Sequence, residues 1–350
     1  MRLLFVTEFF PGNKRIFTGG VEARTFFTIQ ELKKHHQVKV ISRSSSKVPA
    51  TFLSIFSRLW FIISSTVKGL RLPRLDLVEG SNVVCYLPAW IIARAKGAKA
   101  VAWIPDVLGS NWRYFGFTGL LGFFLEWLSL KLPWDHIIAL SHQTAKKLHR
   151  RGINPDKITV VYPGVDIGEF QGQARRRNSP TVCVISRLVP YKKVGDSLKL
   201  LSQLKTQLPQ VKLLVIGEGP ELKSLRQQSK PLKQVYFKSR LPRSELIKEL
   251  KSCHLLCHFS TVEGFGLVIL EALAAGLPYI AYDTPINREV TRHGQGGLLL
   301  PLKQPFDTAA VLKLLTDPEV RQQKLDQGSK LLQTYSWKKS AKMVESAYGL

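Results

Sequence analysis

Residues 263–271 read Glu-Gly-Phe-Gly-Leu-Val-Ile-Leu-Glu, two carboxylates eight positions apart with glycines at 264 and 266 behind the first. Gly264 and Gly266 free the backbone to approach a ligand, and the apolar run from Leu267 to Ala274 puts Gly266 where a helix begins. The unpaired N–H groups and positive dipole end of such a start make a seat for an anion. Glu263 falls in the loop before it and Glu271 about two turns into the helix. One segment thus offers peptide N–H groups to phosphate and carboxylate oxygens to hydroxyls, and a sugar nucleotide carries both kinds of group.

Cations stand nearby in the chain's logic. Arg187 follows the strand-like run Thr181 to Ser186, and Lys192 and Lys193 come five and six residues later. At the carboxyl end of a parallel strand such residues face the ligand crevice, where Arg gives a diphosphate a fork and Lys a point charge. Gly217 and Gly219, ahead of Pro220, follow the run that ends at Ile216 and predict a glycine turn at the same end of the sheet. Gly19 and Gly20 precede a helical pattern carrying Glu22 and form a further candidate for backbone N–H contact with an anion.

The elements that must hold these residues read as short apolar runs alternating with helical patterns. Leu3 to Thr7, Val21 to Leu32 and Val38 to Ser42 open one series, and Thr181 to Ser186, Val211 to Ile216, Val235 to Phe237, Leu255 to Phe259, Tyr279 to Ala281 and Leu298 to Leu300 form a second. Two such series predict two doubly wound α/β domains with a ligand cleft between them. Gly164 to Pro180, rich in Gly and Arg, reads as the linker.

The Glu-x7-Glu spacing, continued through Ala272, Leu273, Ala274, Ala275, Gly276, Leu277 and Pro278, resembles the signature of the retaining GT-B-fold glycosyltransferases of family four, the glycosyl transferases group 1. The resemblance implies an α/β GT-B fold: two Rossmann-like domains facing a central cleft, residues 1–168 on the acceptor side, 169–334 binding the nucleotide sugar, and 335–350 a helix crossing back to the first domain. It implies a hexosyltransferase that uses a nucleoside-diphosphate sugar as substrate and needs no cofactor or metal. In that pattern Arg187 and Lys192 stabilise the leaving diphosphate, Glu263 sits by the sugar and Glu271 holds the ribose hydroxyls. Gly19 and Gly20 match the family's glycine loop, Gly217 and Gly219 its turn near the nucleotide, Leu241 after Arg240 its nucleobase loop, and Gly264, Phe265, Gly266 and Leu267 the rest of the donor seat. One departure stands out: Pro105 occupies the place of a common histidine, so that contact with the sugar is either lost or supplied elsewhere, by Asp106 or Asn111.

Composition sets the partners. With 51 Lys and Arg against 25 Asp and Glu, the formal charge is +26. Residues 1–168 hold 23 basic and 10 acidic side chains and the remainder 28 and 15, so each part carries +13 and no basic arm for nucleic acid stands out. Phe52 to Arg74 mixes aromatic and aliphatic residues with Arg58, Lys68, Arg71 and Arg74 and predicts an interfacial helix against an anionic membrane; Phe115 to Trp134 is a second apolar stretch. A lipid-linked acceptor, or a surface-polysaccharide precursor, follows. Four scattered cysteines, no signal-peptide apolar region and no uninterrupted span predict a cytoplasmic protein at the inner face of a membrane. Cys253, His254, Cys257 and His258 read as alternating faces of a buried strand rather than metal ligands. The rival reading is a GT-B scaffold that binds a nucleotide sugar or an anionic polymer without turning it over, which slow donor hydrolysis without acceptor would exclude.

Overall fold

The computed structural model describes residues 1–11, 20–43, 52–172 and 175–349, which divide into two compact units, Met1–Gly164 with Trp337–Leu350 and Val165–Ser336. Unit 1 runs β1 (Arg2–Thr7), α1 (Gly20–Leu32), β2 (Gln37–Ser42), α2 (Phe52–Leu70), β3 (Leu77–Gly80), α3 (Val83–Lys96), β4 (Lys99–Ile104), α4 (Phe117–Lys131), β5 (His136–Ala139), α5 (His142–His149) and β6 (Ile158–Val160). Unit 2 runs β7 (Thr181–Ile185), α6 (Val194–Leu204), β8 (Lys212–Ile216), α7 (Leu222–Ser229), β9 (Val235–Lys238), α8 (Arg243–Ser252), β10 (Leu255–His258), α9 (Leu267–Ala274), β11 (Tyr279–Tyr282), α10 (Pro285–Thr291), β12 (Gly297–Leu300), α11 (Thr308–Thr316) and α12 (Pro318–Leu332). α13 (Trp337–Tyr348) belongs to unit 1.

Each unit holds one six-stranded sheet, ordered β2-β1-β3-β4-β5-β6 and β12-β11-β10-β7-β8-β9, and every pairing is parallel. Leu3, Leu4, Phe5 and Val6 are wholly buried, as are Leu255, Leu256 and Cys257 to within 1%. Strands apolar on both faces need helices on both faces, which is why the sequence alternates strand with helix. In each sheet the chain works outward from one central strand and then returns to the other side of it. The reversal falls between β1 and β3 in unit 1 and between β7 and β10 in unit 2, and at such a point the carboxyl ends of two strands diverge and leave a crevice.

The boundaries differ from the expected 168/169 and 334/335. Val165 donates its N–H to the Tyr335 carbonyl, Glu169 accepts from Arg243, and Phe170 is buried under that guanidinium, 5.2 Å from ring centre to its carbon, so residues 165–170 are fastened within unit 2. The expected linker is anchored as well: Arg176 donates to the Cys253 and Gly276 carbonyls and Arg177 to Ser252 and Glu249. α13 packs on α1, with Trp337 stacked on Phe27 at 4.9 Å and Tyr348 donating its hydroxyl to Glu79 at 2.6 Å. Glu79 is fully buried and also receives Arg24, whose guanidinium lies 4.5 Å over the Trp103 ring. A buried carboxylate is tolerable because it is charge-paired and hydrogen-bonded at once.

Two helices of unit 1 keep apolar side chains in solvent. On α2 these are Phe56, Leu59, Trp60, Ile63, Val67 and Leu70, the recurrence of a single helical face, with Trp60 69% exposed. On α4 they are Phe117, Leu120, Phe123, Phe124 and Trp127. Lys68, Arg71 and Arg74 are exposed at the end of α2, whereas Arg58 is spent on an ion pair with Glu8 at 2.9 Å. Among the described residues no helix is long and apolar enough to cross a membrane.

Candidate functional site

The crevice between β7 and β10 collects the expected chemistry of unit 2. Beyond β7 the chain turns through a 3-10 helix, Pro190–Lys192, and beyond β10 it runs through Glu263 to α9. The two exits are sewn together: Thr261 donates both its N–H, at 2.8 Å, and its hydroxyl, at 3.1 Å, to the Tyr191 carbonyl. Lys192 consequently donates its ammonium to Glu263 Oε1. Arg187 is exposed and donates to the Tyr191 hydroxyl at 2.8 Å, which steadies its guanidinium at the rim.

Glu263 is approached by Lys192, His258 and Arg187. Burial alone would raise its pKa, but the neighbouring Lys192 ammonium, with His258 and Arg187, holds the carboxyl below the ordinary value. His258, the last residue of β10, is 4% exposed, and its Nε2 lies 3.3 Å from Glu263 Oε1 without the alignment of a hydrogen bond. Burial, helped by Lys192, lowers the His258 pKa to about 4 against the pull of Glu263. The ring is therefore neutral near pH 7.

Gly266 sits at the N-cap of α9 with φ 91°, a left-handed conformation that favours glycine, and so turns the first N–H groups of the helix outward. Phe265 is buried edge-on against Tyr335 at 5.6 Å, which pins the turn from below, and Leu267 is the first helical residue. Gly217 and Gly219 answer a different need. A Cβ on Gly217 would stand 1.9 Å from the Ser186 carbonyl oxygen and one on Gly219 2.2 Å from that of Leu188, so only glycine lets the β8 exit cross the β7 exit. The crossing is closed by Leu188 N–H to the Glu218 carbonyl at 2.9 Å. Arg240 donates its N–H to Glu218 Oε1 at 3.4 Å, bringing Arg240 and the half-buried Leu241 to the same turn.

Glu271 is the fifth residue of α9, just over one turn past its start rather than two. It receives Arg243, which also donates to Glu169 at 2.9 and 3.0 Å; burial opposes the charge of Arg243, but the two carboxylates raise its pKa above the ordinary value. Arg243 and Glu169 escaped the sequence reading because they meet only through folding, and His258 was read only as one face of a strand because a histidine inside an apolar strand looks like filler. Cys257 turns to Ser197 at 3.1 Å while His258 turns to Glu263, the alternation of a strand, and among the described residues no group of His, Cys, Asp and Glu is arranged to hold a metal ion. All four cysteines are free and buried.

The remaining candidates belong to unit 1. Asp106 accepts from Lys147 at 2.5 Å and from the Val107 N–H at 2.8 Å. Gly20 is exposed at the start of α1, and Gly19 lies outside the described residues.

Two family models match the chain: the glycosyl transferases group 1 over residues 167–330 and glycosyltransferase family 4 over residues 18–169. A phosphatidylinositol N-acetylglucosaminyltransferase subunit of Arabidopsis thaliana is 26% identical over 99% of this chain and 81% of its own length. The phosphatidyl-myo-inositol mannosyltransferase of Mycobacterium tuberculosis is 28% identical over 58% of this chain, and the match spans 57% of that relative. Among solved structures, Anabaena HepE in complex with UDP and glucose has a TM-score of 0.77 at 20% identity, and the sucrose-phosphate synthase of Thermosynechococcus elongatus 0.78 at 18%. The first covers all of both chains, the second all of this one and 98% of the other. With residues 18–330 matched by these two models together and its sheets those of the GT-B fold, the chain belongs to the family-four, group 1 glycosyltransferases.

Proposed function

We propose that this glycosyltransferase moves a hexose from a nucleoside-diphosphate donor to a lipid-linked acceptor at an anionic membrane surface, with retention of anomeric configuration. The observation that carries the reading is the Lys192–Glu263 pair beside Arg187, at the point where unit 2 reverses its strand order and between two glycine turns. A diphosphate needs cations both to bind and to leave, and Arg187 with Lys192 supplies that charge from the protein itself, so the reaction runs without a metal ion. Glu263 then meets sugar hydroxyls, Glu271 the ribose, the α9 N-terminus a phosphate oxygen, and Leu241 the base. UDP bound to a structural relative favours a uridine nucleotide among donors to try first.

The acceptor half of the reading draws on the exposed apolar faces of α2 and α4 with the cations Lys68, Arg71 and Arg74. Aromatic side chains enter an interface while basic ones hold an anionic leaflet. Relatives named for phosphatidylinositol substrates support a lipid-linked acceptor. Thermal unfolding against a panel of nucleotide sugars tests the donor side. At a hundred times its Kd a ligand adds about 2.7 kcal/mol to the unit that binds it, which raises that unit's Tm by several degrees. No stabilisation by any nucleotide sugar overturns the proposal.

A further inference from the structure

Glu263 is approached on the same oxygen, Oε1, by two groups of different character, the Lys192 ammonium and His258 Nε2. The ammonium is bonded to it; the imidazole is 4% exposed, and its Nε2 stands 3.3 Å away with no hydrogen-bond partner among the described residues. We infer that His258 is a positioning residue that takes over Glu263 when a diphosphate draws Lys192 away, and that it takes up a proton from solvent in doing so. The inference rests on the reading of Arg187 and Lys192 as the diphosphate cations.

The Lys192–Glu263 pair is self-complementary: each side chain stands in for the ligand group that the other recognises. An intact nucleotide sugar replaces both at once, its phosphates taking Lys192 and its hydroxyls taking Glu263. A bare nucleoside diphosphate takes only Lys192 and strands a carboxylate that is 13% exposed, and a lone buried charge is costly. The polar group in place to answer it is His258 Nε2. A Cβ on Gly266 would stand in ordinary contact with that nitrogen, at 3.6 Å, and with Asn287 Oδ1, at 3.9 Å, so the ring edge lies directly against the glycine turn that opens α9.

The charges around the ring favour the exchange. Lys192 and burial together keep the proton off His258, and Glu263 invites it; moving the ammonium toward phosphate removes one opponent and leaves the ally. Among the described residues of unit 2 no other element competes. β7 and β11 bring a cysteine and tyrosines but no amine or carboxylate, α9 commits Glu271 to Arg243, and on α10 Arg288 and Glu289 act on Asp283 and Tyr335. Arg187 acts on Glu263 and not on the ring. Bare diphosphate binding therefore consumes a proton, whereas donor binding does not, and product release becomes easier as pH rises.

The test uses the full chain with histidine rings isotopically labelled, titrated by NMR from pH 5 to 8 alone, with UDP, ADP or GDP, and with the matching nucleotide sugar. The His258 pKa is expected to rise from about 4 into the titrated range, by at least about two units, a hundredfold change, with the bare diphosphate and to stay low with the nucleotide sugar. Calorimetry in buffers of different ionisation heat should give net proton uptake that His258→Gln lacks; the wild-type titration decides the matter even if that variant fails to fold. A diphosphate that binds while His258 stays neutral overturns this inference and leaves the functional reading intact. Binding of none of the three diphosphates overturns both.

Discussion

The two sheets reverse their strand order in the same way, and each places a carboxylate at the reversal, yet the carboxylates serve different ends. In unit 1 it is Glu8, beyond β1, which accepts from Arg43 at 3.2 Å and Arg58 at 2.9 Å. Arg58 lies on α2, and Arg43 also donates to Ser57 of that helix at 3.2 Å, so this reversal point holds down the helix whose outer face is apolar. In unit 2 it is Glu263, which holds no α-helix and is met by a lysine, a neutral histidine and an arginine at the rim. The same topology thus holds down a helix in one unit and gathers a cluster of charged side chains in the other. Site and surface should therefore fail independently.

The largest separation is expected from Arg187→Ala and Lys192→Ala. Charge placed where the leaving diphosphate develops its own is worth roughly a hundred- to a thousandfold in turnover, so donor hydrolysis at saturation should fall by that factor while binding falls less. Variants that bind donor poorly but turn over normally would make these residues mere docking charges. Next comes the surface. Reversing Lys68, Arg71 and Arg74 to Glu should weaken sedimentation with anionic vesicles by about a hundredfold, from about 1 kcal/mol for each cation lost, and leave nucleotide affinity unchanged. Wild-type protein that ignores such vesicles at low salt would leave α2 and α4 without a membrane role.

Glu271→Ala should weaken nucleoside-diphosphate binding roughly ten- to a hundredfold by calorimetry, the worth of hydrogen bonds to a charged group. Unchanged affinity would mean that Glu271 serves only Arg243 and the segment around Glu169. The smallest effect concerns pH. Folded His258 holds its proton only below about 4, and His254, lowered by burial and the Arg176 charge, behaves alike, while both take it up near 6.5 when unfolded. Between those values the unfolded state binds more protons, so stability falls as pH drops from 6.5 toward 4. Calorimetric unfolding should show the decline, and His258→Gln should flatten it; an unaltered slope would contradict the assignment.

What could be read from the chain follows from how local each signal is. The strands and helices of unit 2 announce themselves because apolar runs and turn glycines are local, and Gly217, Gly219 and Gly266 carry their reason in the backbone. The cations Arg187 and Lys192 were legible from their place after a strand. Partners were not: Glu271 meets Arg243 across 28 residues and Arg243 meets Glu169 across 74, and no periodicity encodes such pairs. The function of His258 was hidden by its strand, and the expected linker, in which the division between the units falls at Gly164, did not reveal that Arg176 and Arg177 donate to carbonyls and side chains 72 to 100 residues away.

The most direct test of the central claim, that Lys192 and Glu263 bracket the diphosphate and sugar of a bound donor, is donor hydrolysis without acceptor followed by proton NMR. The wild-type protein should slowly release the sugar of its preferred nucleotide donor, first as the anomer present in the donor, and Lys192→Ala should slow that release roughly a hundredfold or more while the fold, judged by circular dichroism, stays intact. Equal release by wild type and variant, or none by the wild type with any donor it binds, would contradict it.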